Sequence, residues 1–280
     1  LLTQTKPWID KKWIAARRKT DQYFMRLTGN VRDADVLVLK AERFFAGQES
    51  VDADALLTQL RKKRDRKHAG LCRKLNSKDS LQKLGREMAA LSVADAAVRM
   101  LPIPVSDSGS VRLYRLVDCL PVILWRAASA LTVFHSIVAG QTQTTNGQAD
   151  VSEPVLHRLR LAAKDFRYVV SFAGSLLGET ADTMLQEFKS FQDVLGDWHD
   201  TIVARRQLDK IKVSPENEEA VRLWLAELQS EGDSLRHEFF SKWSSMTPQW
   251  FHRCLSTGLT HFYEQTGDPD CRCCSCGKQS

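Results

Sequence analysis

Apolar residues recur at helical spacing through almost the whole chain, and this periodicity is the feature that most constrains the fold. The period-two alternation that is typical of strands is nearly absent, and glycine and proline gather at a few breaks. The pattern predicts an all-α protein. The predicted helices lie near residues 7–28, 31–46, 52–75, 78–99, 110–139, 153–175, 180–195, 198–211, 215–241 and 247–265.

One polar segment without aromatic residues, GQTQTTNGQADVSE at 140–153, separates two helix-rich parts of the chain. Its composition predicts a flexible crossover. The sequence therefore favours a single domain over 1–265, with a first half at 1–140 and a second half at 153–265. Residues 266–280 form a cysteine-rich tail, which lacks apolar periodicity and is predicted to lie outside the core.

A short pattern, in which a glycine is followed by two residues, a basic residue and an aspartate, occurs twice. It begins at Gly29 and again at Gly196, 167 residues later, so that Arg32 corresponds to His199. The repeat predicts two helical bundles related by pseudo-twofold symmetry. The same offset places the first-half equivalent of His157 before the first residue, where we expect another basic helix.

Residues 155–172, VLHRLRLAAKDFRYVVSF, contain the strongest local pattern in the chain. At 100° per residue, three cations and an imidazole share one helix face within about 80°, namely His157, Arg160, Lys164 and Arg167. Apolar residues fill the opposite face, which predicts that this face packs on the core. A solvated face commonly mixes acidic and basic residues. The like charges on this face repel one another instead, and a bound anion would relieve that repulsion. An ordinary basic surface is the alternative interpretation.

These residues resemble the CHAD family, the conserved histidine α-helical domains. The motif H-x-x-R-x-x-x-[KR]-x-x-R-Y is present at 157–168 and the motif L-G-x-x-[HN]-D at 195–200. A related first-half element is matched from Gly29 onward, with Thr28 in place of its leucine, and the similarity extends over most of 6–262. The resemblance implies two antiparallel helical bundles with a basic groove or channel between them, and binding of inorganic polyphosphate.

The predicted groove is lined by cationic, imidazole and phenol side chains. Arginine chelates phosphate oxygens in bidentate fashion, lysine acts as a point charge, and a protonated histidine donates from both nitrogens. Gly196 is expected to interrupt a helix, so that His199 and Asp200 begin the next helix, whose N-terminal N–H groups favour an anion. Alternatives are a core-edge role for Tyr168 and a solvated Lys189. The predicted polyphosphate-binding residues are His157, Arg160, Lys164, Arg167, Tyr168, Lys189, His199, Arg205, Arg206 and Arg32.

A second basic run, RKKRDRK at Arg61–Lys67, places six cations in seven residues. On one helix these side chains point around the whole circumference, so a solvated segment is the simpler interpretation. The alternative is that they widen the positive field or contact other polyanions. The chain carries a net charge of +6 and a pI of about 9.0, so anion binding has to come from clustered charge.

Binding without catalysis is the predicted function, and no cofactor is expected. The sequence contains no G-x-x-x-x-G-K-[ST], G-x-G-x-x-G, H-E-x-x-H or G-x-S-x-G motif. The expected partner is inorganic polyphosphate, as free chains, as polyphosphate granules or beside a triphosphate-processing enzyme. One alternative is an accessory domain for a polyphosphate- or triphosphate-hydrolysing enzyme. A nucleic-acid-binding module is disfavoured, because the tryptophans are not interleaved with basic residues.

The cysteine pattern predicts a reducing cytoplasm rather than a secreted disulfide framework. Three cysteines are scattered through the chain, and four lie in the tail at Cys271, Cys273, Cys274 and Cys276. These four thiols are spaced for a soft metal, but an incidental tail is favoured because no second ligand pair is evident. No uninterrupted run of 18 apolar residues is present, so a membrane-spanning helix is not expected.

Overall fold

A computed structural model of the chain describes residues 4–48, 51–93, 97–99, 114–141 and 151–266. Within these ranges the chain forms eight α-helices and one isolated β-bridge, which confirms the all-α prediction. The helices are α1 (Lys11–Phe45), α2 (Asp54–Leu75), α3 (Lys78–Leu91), α4 (Leu116–Gln141), α5 (Glu153–Leu177), α6 (Glu179–Leu208), α7 (Glu218–Ser245) and α8 (Pro248–Thr266).

Two predicted helix breaks are wrong, because α1 and α6 run uninterrupted through Gly29 and Gly196. A glycine inside a helix costs about 1 kcal/mol relative to alanine. Burial of neighbouring side chains offsets this cost, since Val31 is buried beside Gly29, and Leu195 and Trp198 are buried beside Gly196. No helix begins at residue 199, and the predicted N-terminal anion site at that position does not exist.

α5 and α6 form a hairpin that turns at the single residue Gly178. Its φ of 62° lies in the left-handed region, where a side chain is disfavoured. A Cβ at this position would also lie 2.7 Å from the ring of His261. Across the hairpin, Gln192 Nε2 donates a hydrogen bond of 2.6 Å to the carbonyl oxygen of Ala163. The tight corner therefore fixes the register in which α6 faces α5.

Two hydrophobic clusters hold the helices together. The larger cluster combines side chains of α4, α5, α6, α7 and α8. At its centre the ring of Phe166 makes edge contacts with Phe188 and Phe251, with centroids 5.2 and 5.4 Å apart. The smaller cluster joins α1 and α2 to the end of α6 and the start of α7, around Trp224. Full burial of each large apolar side chain contributes about 1.5–3 kcal/mol to the stability of this arrangement.

The packing crosses the predicted boundary between the two halves. Helix α4 belongs to the predicted first half, yet its buried Leu120 and Leu124 lie in the larger cluster with α5 and α8. The smaller cluster in turn combines Leu37 and Leu56 with Trp224 of the predicted second half. The division into halves stays a prediction. Residues 142–150 of the crossover, and the tail with the metal prediction at Cys271, Cys273, Cys274 and Cys276, lie outside the described residues.

Helix α3 is attached to α1 through its polar face. Tyr23 Oη and Ser80 Oγ lie 2.9 Å apart, and Arg17 forms an ion pair with Glu87. The apolar residues of α3 recur at i, i+3, i+7 and i+10 and remain exposed, namely Leu81, Leu84, Met88 and Leu91. An amphipathic helix commonly packs its apolar face on the core and exposes its polar face to solvent.

Helix α4 is the most apolar helix described. Its residues 116–138 have a mean hydropathy of 1.6 and are long and apolar enough to cross a membrane by length and composition alone. A helix in the core of a folded domain passes the same test. Leu120, Leu124 and Leu131 of this helix are fully buried in the larger cluster, whereas Val122 and Val133 are exposed.

Candidate anion-binding cleft

A cleft of about 480 Å³ lies where α5 faces α6, with α1 contributing one residue to its wall. We call it the α5–α6 cleft. Its lining combines cations, carboxylates and a few neutral groups. The lining residues are Arg32, Arg160, Ala163, Lys164, Arg167, Tyr168, Gln192, Asp193, Leu195, Gly196, Asp197 and Asp200.

The cationic wall comes from the face of α5 that lies beside its core contacts. Leu159, Ala163 and Phe166 are buried and fix the rotation of the helix, as the apolar periodicity predicts. The cations Arg160, Lys164 and Arg167 then point into the cleft, spaced by about 6 and about 4.5 Å along the axis. Arg32 of α1, which the repeat pairs with the second-half element, also lies in this lining.

The cations of this wall repel one another, and Arg160 and Lys164 are also partly desolvated. Burial lowers the pKa of Lys164, and the charges of Arg160, Arg32 and Arg167 lower it further. Burial also lowers the pKa of Arg160, although the nearby carboxylate of Asp200 opposes this shift. Each shift means that the fold destabilises the charged form of the side chain.

These cations also lack partners within the described part of the chain. None of the four forms an ion pair or a hydrogen bond with another described residue. The buried Nε atom of Arg160 has no hydrogen-bond acceptor there, and Gln192 Oε1 has no donor. A buried polar atom without a partner costs about 1–3 kcal/mol, which a ligand that supplied the partner would recover.

Opposite the cations, α6 presents three carboxylates that are not among the predicted site residues. Asp193, Asp197 and Asp200 occupy positions i, i+4 and i+7 and therefore share one helix face. Burial raises the pKa of Asp197 and of Asp200. The predicted break at Gly196 concealed this row, because the spacing is meaningful only on a continuous helix. The cleft is consequently mixed in charge rather than almost wholly cationic.

Two histidines lie together beside the cleft rather than in its lining. The rings of His157 on α5 and His199 on α6 are 5.3 Å apart between centroids. Burial lowers the pKa of His199 to about 4, and Arg160, His157 and other nearby cations contribute to the shift. His199 is therefore neutral at pH 7, and an anion that reduced the surrounding positive field would favour its charged form.

Tyr168 is in the lining but stays 51% exposed, with the guanidinium of Arg167 located 5.4 Å from its ring centroid. Tyr168 thus lies both at the edge of the core and at the edge of the cleft, which are the positions that its two interpretations expect. Lys189 and Arg205 are exposed and lie outside the lining. Arg206 also lies outside it and forms an ion pair with Glu153 at the start of α5.

The fold defines an all-α helical-bundle protein, and comparison with known families gives its particular class. The sequence model of the CHAD domain matches residues 1–209, which is most of the chain. The chain therefore belongs to the CHAD domain family, whose members are associated with polyphosphate and triphosphate. Comparison with curated proteins finds no sequence match.

Proposed function

We propose that this CHAD domain binds inorganic polyphosphate in the α5–α6 cleft and does not hydrolyse it. The observation that carries the proposal is the row of partly buried, unpaired cations formed by Arg160, Lys164 and Arg167, which Arg32 of α1 joins. Such a row is costly in the free protein and is relieved by an anion that spans several of its members. Membership of the CHAD family supports the same ligand class.

A polymeric phosphate fits this row better than a single phosphate does. The cations are spread over about 10 Å of α5, so one phosphate group engages only part of them. A chain engages successive cations, and each further contact is intramolecular once the first has formed. Affinity is therefore expected to rise with chain length until the cleft is filled.

The carboxylates on α6 support selectivity for narrow polyanions over wide ones. Asp193, Asp197 and Asp200 repel any anion that fills the cleft from wall to wall. A narrow, flexible chain can follow the cations of α5 and keep away from α6. A nucleic acid needs aromatic platforms for its bases, and among the lining residues Tyr168 alone is aromatic.

The test is a titration with polyphosphate, measured by calorimetry at a series of salt concentrations from about 50 to about 300 mM. The wild-type chain is compared with Arg160→Glu/Arg167→Glu and with the control Arg158→Glu/Arg86→Glu. Both control residues are exposed and lie outside the lining. Because each variant replaces two arginines by glutamates, the two variants have the same net charge. Far-UV circular dichroism checks that each variant retains its helices.

We expect the cleft variant to lose about 100-fold or more in affinity and most of its salt dependence, while the control loses less than about tenfold. Equal losses in the two variants would reduce the interaction to general charge attraction and overturn the proposed site. Absence of binding by the folded wild-type chain would overturn the proposed function.

Hydrolysis is tested on the same preparation. The carboxylates of α6 make this necessary, because phosphoryl-transfer sites hold Mg²⁺ through such groups. Phosphate release in the presence of Mg²⁺ that is lost in Asp197→Asn would replace the binding proposal with an enzymatic one. We expect no release above the rate without protein.

A further inference from the structure

The α6 face that carries the carboxylates continues beyond the cleft towards the end of the helix. Gln207 lies two turns after Asp200, and its Nε2 donates a hydrogen bond of 3.3 Å to the carbonyl oxygen of Asp33 on α1. Lys210 follows just after α6 ends, about 15 Å along the helix direction from Asp200. The last turns of α6, which contact α1 through this hydrogen bond, thus connect the cleft with Lys210.

Two lysines of α2 lie near the end of α6, because Leu60 of α2 packs in one hydrophobic cluster with Leu208 and Ile211 on either side of Lys210. Lys63 and Lys67 are four residues apart and therefore share one face of α2. Lys67 Nζ donates a hydrogen bond of 3.1 Å to the carbonyl oxygen of Asn30, two residues before Arg32. Burial lowers the pKa of Lys63, and the charges of Lys67 and Lys210 add to this effect. We call these three residues the lysine cluster.

The lysine cluster lacks carboxylate partners in the described part of the chain. None of its three ammonium groups forms an ion pair with a described residue, and no carboxylate contributes to the shift at Lys63. The same helix pairs other cations, since Arg61 binds Glu42 at 2.8 Å and Arg64 binds Asp65 at 2.7 Å. Three ammonium groups without a carboxylate partner, two on α2 and one just after α6, form a site for an anion, because each of them gains from its charge.

We propose that the lysine cluster is a second polyphosphate-binding site, which holds the part of a long chain that extends out of the α5–α6 cleft past Arg32. This proposal rests on the proposed function of the cleft. It explains part of the basic run on α2, because Lys63 and Lys67 belong to the site while the rest of the run is solvated or paired. It also makes the protein selective for long chains over short ones, since only a long chain reaches both sites.

The test compares long-chain polyphosphate with tripolyphosphate as ligands of the full chain. The cluster variant is Lys63→Gln/Lys67→Gln/Lys210→Gln. Its control is Lys19→Gln/Lys62→Gln/Lys74→Gln, which removes the same charge from exposed lysines elsewhere on α1 and α2. Calorimetry at about 150 mM salt gives the two affinities for each protein, and circular dichroism checks the fold.

We expect the cluster variant to bind long chains about tenfold more weakly than the control does, with less than a twofold change for tripolyphosphate. Equal affinities of the two variants for long chains would overturn the second site and leave the cleft intact. An equal loss for both ligands would also overturn it, because the effect would then act through the cleft. Failure of the wild-type chain to bind either ligand would instead overturn the proposed function. Should the triple variant unfold, Lys210→Gln alone is expected to show the same pattern with a smaller loss.

Discussion

Helices α5 and α2 are both rich in cations, but they use them differently. In α5 the cations Arg160, Lys164 and Arg167 lie on one face, partly buried and unpaired, and they face the carboxylates of α6. In α2 six cations occupy seven consecutive residues and point in all directions, and Arg61 and Arg64 are neutralised by carboxylates. Helix α2 therefore has more cations per residue, whereas the cations of α5 point towards one common site.

This difference shows why the spacing of charges is more informative than their number. Like charges that converge lower one another's pKa and need an external partner, whereas charges that diverge are solvated independently. Within α2 the same rule separates Lys63 and Lys67, which converge with Lys210, from the rest of the run. The following predictions test whether convergence, and not charge content, determines the properties of the two helices.

The largest effect is expected from removing the carboxylates that oppose α5. Asp193→Asn/Asp197→Asn should tighten polyphosphate binding about tenfold, because the bound anion then meets one carboxylate on α6, that of Asp200, instead of three. The control Asp165→Asn/Glu264→Gln removes the same charge from exposed positions outside the lining and should change affinity less than about threefold. Calorimetric titration measures both. A weaker-binding cleft variant would mean that these carboxylates hold the cations in position.

A somewhat smaller effect on the affinity for polyphosphate is expected from a change of pH. This effect should arise in the α5–α6 cleft and not in the lysine cluster. The pKa of His199 is about 4 in the free protein, below its ordinary value of 6.5, chiefly because the ring is buried. A bound polyanion raises this pKa, so binding takes up a proton and affinity should increase about fivefold between pH 7.5 and pH 5.5. His199→Asn should abolish most of this increase. Titrations in buffers of different ionisation enthalpy measure the proton uptake directly.

The same group also makes the free protein less stable in acid. Because its folded pKa is depressed, the stability that neutral His199 contributes is present above pH 6.5 and is lost as the pH falls towards 4. Denaturant unfolding of wild type and His199→Asn at pH 7.5 and pH 5 should therefore show the smaller loss in the variant. A loss of equal size in both proteins would place the sensitivity elsewhere.

The smallest effect is expected on the stability of the free protein when one cation of each helix is removed. Lys164→Met should raise the free energy of unfolding by about 0.5–1 kcal/mol, because the fold destabilises the charged lysine at this position. Lys62→Met on α2 removes an exposed charge and should change it by less than about 0.5 kcal/mol. Urea denaturation measures both differences. A destabilised Lys164→Met would show that its ammonium is already satisfied in the free protein.

The determinants of the cationic wall are local, so the sequence alone places its residues on one helix face. The apolar spacing of Leu159, Ala163 and Phe166 sets the rotation of α5, and that rotation alone directs Arg160 and Lys164 away from the core. The all-α class follows from the same periodicity over the whole chain. Where one helix face determines the outcome, a single sequence contains the required information.

The opposite wall could not be predicted in the same way, because its determinants lie outside the local sequence. Helix propensity predicts breaks at Gly196 and Gly29, whereas packing of their neighbours keeps both helices continuous. The acidic row on α6 became visible only with that continuity. Arg206 was expected in the groove, but Glu153 lies within reach of it through the hairpin at Gly178, a contact that no spacing reveals.

The long helices α6 and α7 have a consequence for how the protein unfolds. Each of them contributes to both hydrophobic clusters, since α6 runs from Phe188 in the larger cluster to Leu208 in the smaller one. Neither cluster can lose its packing without exposing apolar surface on a helix that the other needs, so the two should melt in one transition. Amide hydrogens in the middle of α6 should exchange only through that global opening, whereas those of α3, attached by a few polar contacts, should exchange through local fraying.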